Sequence, residues 1–290
     1  MKGKILVRRM LRSPQFMIGF FIVFGIVIVS VFARQLAPMD ENMNHIVARF
    51  TPPQGIDAYK TGGYVLGSDE LGRDILSRVL IGSQISLRIA FIGTVCVTVV
   101  GTLLGVFAGY FGGVVDDIVM RATEVTMAIP SMTLGIVIMA IFGPSISNLI
   151  LVMIITSWKN FAKISRNQVM IMRNREFVQA SRALGGSGWH IIMTQIMPNV
   201  TTPLLIQLSG TFGGIILTEA GLSYLYLGVQ LPNPSWGNMI AGGRTYLAAY
   251  PWMVIVPGVA LMITVLGFNF LGDGLRDVLE IARASCRERV

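Results

Sequence analysis

RNQVMIMRNREFVQASRALGGSGWHIIMTQIMP, residues 166–198, is a polar, basic, helix-prone island in an otherwise apolar chain. Long apolar runs stand on both sides of it, so this stretch decides where the chain leaves lipid. Its first half, Asn167–Leu184, has helical period: Met170, Ile171, Phe177, Val178 and Leu184 offer apolar contacts, while Arg173, Arg175 and Glu176 face water. Gly185-Gly186-Ser187-Gly188 stops that helix, because glycine enters left-handed backbone without steric cost. A second short helix, Trp189–Met197, is predicted to end at Pro198. The product is a helix–turn–helix arm. Its centre is small (Ala180, Ser181, Ala183, Gly185), a surface on which a partner's backbone can come close. Pattern alone leaves a second reading open, a self-contained hairpin packed on its own spans.

The rest of the chain sets the solvent. Of 290 residues, 53% are apolar and only 13% charged, with a mean hydropathy of +0.67. A soluble domain carries roughly 25% charged residues, so this chain cannot wet its own surface and lipid is the expected surroundings. Its 32 glycines suit that medium, where they let helix backbones approach one another. The two cysteines, Cys96 in an apolar run and Cys286 in the tail, imply no disulfide framework.

Six apolar spans are expected: Phe16–Phe32, Ile85–Tyr110, Thr126–Phe142, Ile146–Trp158 with its flanks, Val200–Tyr224 and Trp252–Phe270. Gly101, Gly105 and Gly109 line one face of the second span for tight helix packing, with a pore-lining groove as the alternative. Gly112-Gly113 turns the chain, and Asp116, Asp117 and Arg121 are placed in a short loop. Pro130 bends the third span, and Gly143-Pro144-Ser145 turns it into the fourth. Residues 34–83 form the longest non-membrane segment. Ser68 is predicted to cap a short helix whose face Leu71, Ile75, Leu76, Val79 and Leu80 lies on the membrane surface or touches substrate. Five Lys/Arg precede the first span and six lie between Lys159 and Arg182, whereas residues 225–250 hold only Arg244. The positive-inside rule then places both termini and the arm in the cytoplasm. The net charge of +8 is spread over several loops, not gathered into a nucleic-acid-binding patch.

Family likeness sharpens this reading. Gln179-Ala180-Ser181, then Gly185, then Gln195-Ile196-Met197-Pro198 resemble the Glu-Ala-Ala…Gly…Ile-x-Leu-Pro loop of ABC importer permeases. The match departs at Gln179, Ser181, Gln195 and Met197. Gln179 keeps a hydrogen-bonding group but loses the charge. Leu66–Asp74 (LGSDELGRD), Glu219–Gln230 (EAGLSYLYLGVQ) running on to Pro234-Ser235-Trp236-Gly237, and Asn269–Asp277 (NFLGDGLRD) are similar to the dipeptide/oligopeptide/nickel permease group, specifically its C-type subunit. The resemblance covers nearly the whole chain in order. It implies an all-α polytopic membrane protein with the type I ABC importer permease fold, six helices, in a bacterial plasma membrane. Residues 1–83 would hold the N-terminal segment, first helix and outer loop. Residues 84–278 would be the transmembrane domain with coupling loop 166–198, and 279–290 the tail.

The loop residues Glu176, Gln179, Ala180, Ser181, Gly185, Gly186 and Pro198 would meet the ATPase. The partners implied are a sister permease, two ABC ATPase subunits, an extracytoplasmic solute-binding protein and membrane lipid, with no nucleic acid. The chain itself would be no enzyme and hold no cofactor or metal, ATP being bound by the partner subunits; dipeptides or oligopeptides are the expected cargo. The sequence agrees, since it has neither a Gly-x4-Gly-Lys-Ser/Thr phosphate loop nor a His-Glu-x2-His zinc motif. Gly185-Gly186-Ser187-Gly188 mimics a rhomboid protease motif, but His45 is expected across the membrane and His190 is too near in sequence to be its partner. A stand-alone ion-coupled carrier is the alternative, yet such carriers bury relays of ionisable groups. Here the spans hold Arg88 and Glu124 near their ends and Glu219 deeper. Glu219 is a candidate for the translocation path or gate, or else a helix-packing group. The ending Arg283–Val290 reads as sequence from beyond the natural gene.

Overall fold

The computed structural model describes residues 9–287, with side chains to residue 279. The expected basic residues Lys2, Lys4 and Arg8 lie outside the described residues, as do the side chains of the suspect tail. The architecture is helical; among the described residues the only bridge pair is Ser68 with Asp74. Helix α1 is Pro14–Val31, started by the Ser13 cap and by proline at its first turn. Helix α2, Ile75–Phe111, has 37 residues and is about 56 Å long. Helices α3 (Gly113–Ala128) and α4 (Ser131–Phe142) meet at a bend of 93°. Helix α5 is Ile146–Arg173, α6 is Glu176–Ala183 and α7 is Gly188–Ile191. A π-turn, Ile192–Ile196, leads into α8, Met197–Tyr224. Helices α9 (Trp236–Gly243) and α10 (Trp252–Arg287) complete the chain.

By length and apolarity four helices cross a bilayer (α1, α2, the run Gly188–Tyr224, and Trp252–Leu279), and the bent pair α3–α4 makes up to five. The expected fourth crossing, Ile146–Trp158, is the first half of α5. That helix continues through Lys159, Lys163, Arg166 and Arg173, so its apolar part is too short to be counted with the others. It does not need a lipid-facing coat. Leu149, Val152, Met153, Phe161, Ala162 and Val169 are each fully buried by protein.

The centre of the bundle is α2 against α5. The stripe Gly101, Gly105, Gly109 faces α5 so closely that added Cβ atoms would collide with the carbonyl oxygens of Trp158, Ala162 and Arg166. Spacing of four residues on one helix face puts all three in one line, and the packing reading of that stripe holds over the groove. The same device joins α1 to α10, where Gly19 meets the backbone of Leu271 and Gly274 that of Phe16.

Two local expectations are corrected. Asp116, Asp117 and Arg121 sit on helix α3, not in a loop. Ser68 caps no helix: its hydroxyl donates to the Ala48 carbonyl and accepts from the Thr51 amide, and Asp74 is the cap of α2. Leu71 lies in the loop before that cap, and the helix it was assigned to is the first part of α2 itself. The physical reason is that Asp69 turns the backbone back on itself, accepting the amides of Leu71 and Arg73 at 2.9 Å.

Residues 37–74 and 225–252 fold onto each other as one cap at the end of the bundle away from the arm. Phe50 stacks on Tyr250 at 4.2 Å between ring centroids, and the Trp252 indole donates to the Ser68 carbonyl. Within it Asp69 is bonded to Arg73 at 2.6 Å, and the Arg78 guanidinium donates to the Glu41 carbonyl at 2.8 Å.

Candidate functional site

The arm is built from the end of α5, α6, α7 and the π-turn. Its inner face is fixed to the bundle: Val178, Ile191, Ile192 and Ile196 are buried. Tyr110 at the end of α2 is the anchor. Its carbonyl accepts from Arg173 at 2.9 Å, its ring lies 5.5 Å beneath the Arg182 guanidinium, and a Cβ on Gly188 would come within 3.2 Å of its hydroxyl. Arg166 of α5 makes a two-pronged ion pair with Asp116 of α3. Paired this way, Asp116 and Arg166 tie α3 to the base of the arm.

The expected turn residues prove to be parts of one helix ending. Gly185 lies at φ +84°, where a side chain would be strained. The Gly186 amide donates to the Ser181 carbonyl at 2.9 Å and the Gly185 amide to Arg182, the hydrogen-bond pattern that closes a helix around a left-handed residue. Ser181 and Gly186 are therefore half-buried and internal, whereas Glu176, Gln179, Ala180 and Gly185 are exposed. The expected small-residue surface thus shrinks to Ala180, Ala183 and Gly185. What flanks it is apolar. Leu184 is 90% exposed and Trp189 60%, with Phe177 and Met193 each about half exposed.

Pro198 does not end a helix. The chain runs on through it, with Pro198 in the first turn of α8, where its missing amide is least needed. The π-turn makes this passage: the Met197 amide reaches back to the Ile192 carbonyl, five residues away, in place of the α-helical register.

Glu219 lies far from the arm. It is fully buried and accepts from Ser86 of α2 at 3.0 Å and from Ser223 one turn on at 2.7 Å. Ser223 in turn accepts the Val229 amide at 3.1 Å. Beyond it the Trp236 indole donates to the Val79 carbonyl, and Asn238 closes a capping box with Ser235 while bonding the Val229 and Asn233 carbonyls. Gly237 packs against Ala220, where a Cβ would meet the Ala220 Cα at 2.7 Å. Glu219, Ser223 and Trp236 of the stretches Glu219–Gln230 and Pro234–Gly237 are thus spent on holding the cap to α2 and α8.

Sequence reasoning missed Tyr110, the Asp116–Arg166 pair and Lys159. The ion pair joins residues 50 apart, with no periodic signal to link them. Lys159 entered only as a topogenic charge, whereas its ammonium donates to the Thr126 carbonyl at 3.0 Å, the acceptor that Pro130 leaves without an amide.

The fold is that of a multi-pass helical membrane protein with a fixed arm at one end and a cap at the other. Residues 101–283 match the family described as binding-protein-dependent transport system inner membrane component, and residues 3–53 match the N-terminal TM domain of oligopeptide transport permease C. The chain is 35% identical to the probable D,D-dipeptide transport system permease protein DdpC of Escherichia coli, covering 96% of this chain and 91% of that one. It is 37% identical to the dipeptide transport system permease protein DppC of Escherichia coli K12 (93% and 89% covered). It is 35% identical to the oligopeptide transport system permease protein OppC of Bacillus subtilis (91% and 84%). A solved amino acid ABC transporter shares its fold with a TM-score of 0.52 at 16% identity, over 68% of this chain and 91% of that one. The chain belongs to the binding-protein-dependent transport permeases. It is a multi-pass inner-membrane permease subunit of an ABC importer, a translocation component whose family works with ATPase and binding-protein partners.

Proposed function

We propose that this permease imports dipeptides or oligopeptides by alternating access, driven through the arm by two ABC ATPase subunits that bind the ATP. The observation that carries the drive is the exposed crest Phe177, Leu184, Trp189 and Met193 on an arm whose underside is fixed to α2. Burying such a crest in a partner's cleft would release roughly 25 cal/mol per Å² of apolar surface. Glu176, Gln179 and Ala180 border it and would give polar and close-backbone contacts; Ser181, Gly185, Gly186 and Pro198 hold its shape. The termini and arm face the cytoplasm, and α5 supplies the sixth crossing with its basic half reaching into water. Residues 1–83, 84–278 and 279–290 remain the natural divisions by function, although 83 and 84 lie within one helix. A sister permease completes the path and an extracytoplasmic solute-binding protein delivers cargo at the cap. The peptide cargo is supported by the names of the relatives. Glu219, held by Ser86 and Ser223, anchors the cap against the path and so serves as part of its gate.

Gly185→Trp tests the drive. It places a bulky side chain at a left-handed position on the crest, so the chain should still reach the membrane while uptake uncouples from ATP hydrolysis. Wild-type uptake at normal abundance would refute the docking role.

A further inference from the structure

Helix α3 ends where Pro130 has no amide to give. In an unbroken helix that amide would bond the Thr126 carbonyl, four residues back. The residue before a proline is pushed out of helical backbone, and Ile129 is extended at φ −101°, ψ 129°. The orphaned Thr126 oxygen is met by the Lys159 ammonium of α5 at 3.0 Å. At the other end of α3, Asp116 is gripped by Arg166, seven residues further along the same helix α5. Two charged clamps therefore hold α3 antiparallel along the basic half of α5, the half that continues into the arm. Past Pro130 the chain departs at 93° as α4, whose 12 residues reach only about 18 Å and cannot cross a bilayer alone.

We propose that Lys159 is a positioning residue for transport: by supplying the donor that Pro130 lacks, it makes α3 a lever that moves as one body with the arm and leaves Ile129–Pro130 as the pivot to α4. This rests on the reading of the chain as an ATP-driven permease. A lysine suits the place because its flexible stem reaches a carbonyl from another helix while its charge favours the negative end of α3. Lys163, one turn on, lies against the Met127 sulfur and lengthens the same contact.

The test uses the full chain assembled with its partners in lipid. Lys159→Met should lower uptake about tenfold, the usual worth of a charged donor, while Lys159→Arg stays near wild type. In a Pro130→Ala chain, which offers Thr126 its own amide, Lys159→Met should lower the thermal unfolding midpoint less than in the Pro130 chain. Spin labels at the exposed positions Arg121→Cys and Asn167→Cys, with Cys96→Ser and Cys286→Ser, should keep one distance with and without ATP. Labels at Arg121→Cys and Ile141→Cys should change theirs. Wild-type uptake by Lys159→Met, failure of Lys159→Arg, or a 121–167 distance that moves as much as 121–141 overturns the lever. If Lys159→Met does not accumulate, the label pairs decide. Absence of an ATPase subunit from the purified wild-type complex is a separate result that sinks the functional reading itself.

Discussion

The interior beneath the cap and the outer crest of the arm treat their side chains in opposite ways. At the cap, polar groups are buried and bonded: Glu219, Ser223 and Ser235 show no surface, and Trp236 shows 2%. At the arm, apolar groups are open to solvent, Leu184 and Trp189 above all. A buried polar network is costly to leave half-made, and Glu219, Ser86 and Ser223 complete theirs within this chain. An exposed apolar crest is costly to leave uncovered, which is why the proposed function seats the arm in another chain. The difference separates residues that hold the fold from residues left on its surface.

That contrast can be broken by measuring stability and partner retention side by side. Trp236→Ala removes the largest fully buried side chain among the described residues and should destabilise the chain by about 3–5 kcal/mol, read as a lower unfolding midpoint in detergent. Gly105→Leu drives a side chain into the α5 backbone and should cost about 3 kcal/mol, with less protein reaching the membrane. Glu219→Ala strands Ser86 and Ser223 and should cost about 2 kcal/mol, whereas Glu219→Gln should nearly keep the fold. If Glu219→Gln keeps stability yet loses uptake, the carboxylate acts in the gate and not only in packing.

A smaller effect is expected at Asp74. Burial raises its carboxyl above the ordinary range, against hydrogen bonds from Ser77 that pull it down. A raised folded-state value means stability present at low pH and lost as pH climbs through that value. Asp74→Asn should flatten this slope in the unfolding midpoint measured from acid to neutral pH; an unchanged slope would show that Asp74 is not its source. Least costly to the fold is Leu184→Ala with Trp189→Ala, within about 0.5 kcal/mol, since both stand in solvent. That pair should nonetheless strip the ATPase from the purified complex. Retention of the ATPase would erase the distinction between the two ends.

Much of the architecture was legible because lipid makes it so. Apolar runs, the glycine stripe at 101, 105 and 109, and the basic island at 166–198 are signals in consecutive residues, and most helices appear where they point; the expected span Thr126–Phe142 does not, being broken at Ile129–Pro130 into α3 and α4 at 93°. The Gly185 turn was legible for the same reason, as a local backbone demand. Pro198 misled, because a π-turn can carry a helix across a proline and composition does not mark it. Ser68 misled because its hydroxyl is claimed by Ala48 and Thr51, about 20 residues away in sequence.

Sequence alone determined that this chain lives in lipid, where its helices run, and that one basic arm stands between them, since each is set by hydropathy, spacing and charge along a short stretch. Tertiary structure decided which polar groups are spent inside the fold and which are offered outward. Glu219 on Ser86, Arg166 on Asp116 and Lys159 on Thr126 are pairings across helices. A hydrogen bond or ion pair depends on distance in space, and neighbours along the chain carry no record of it.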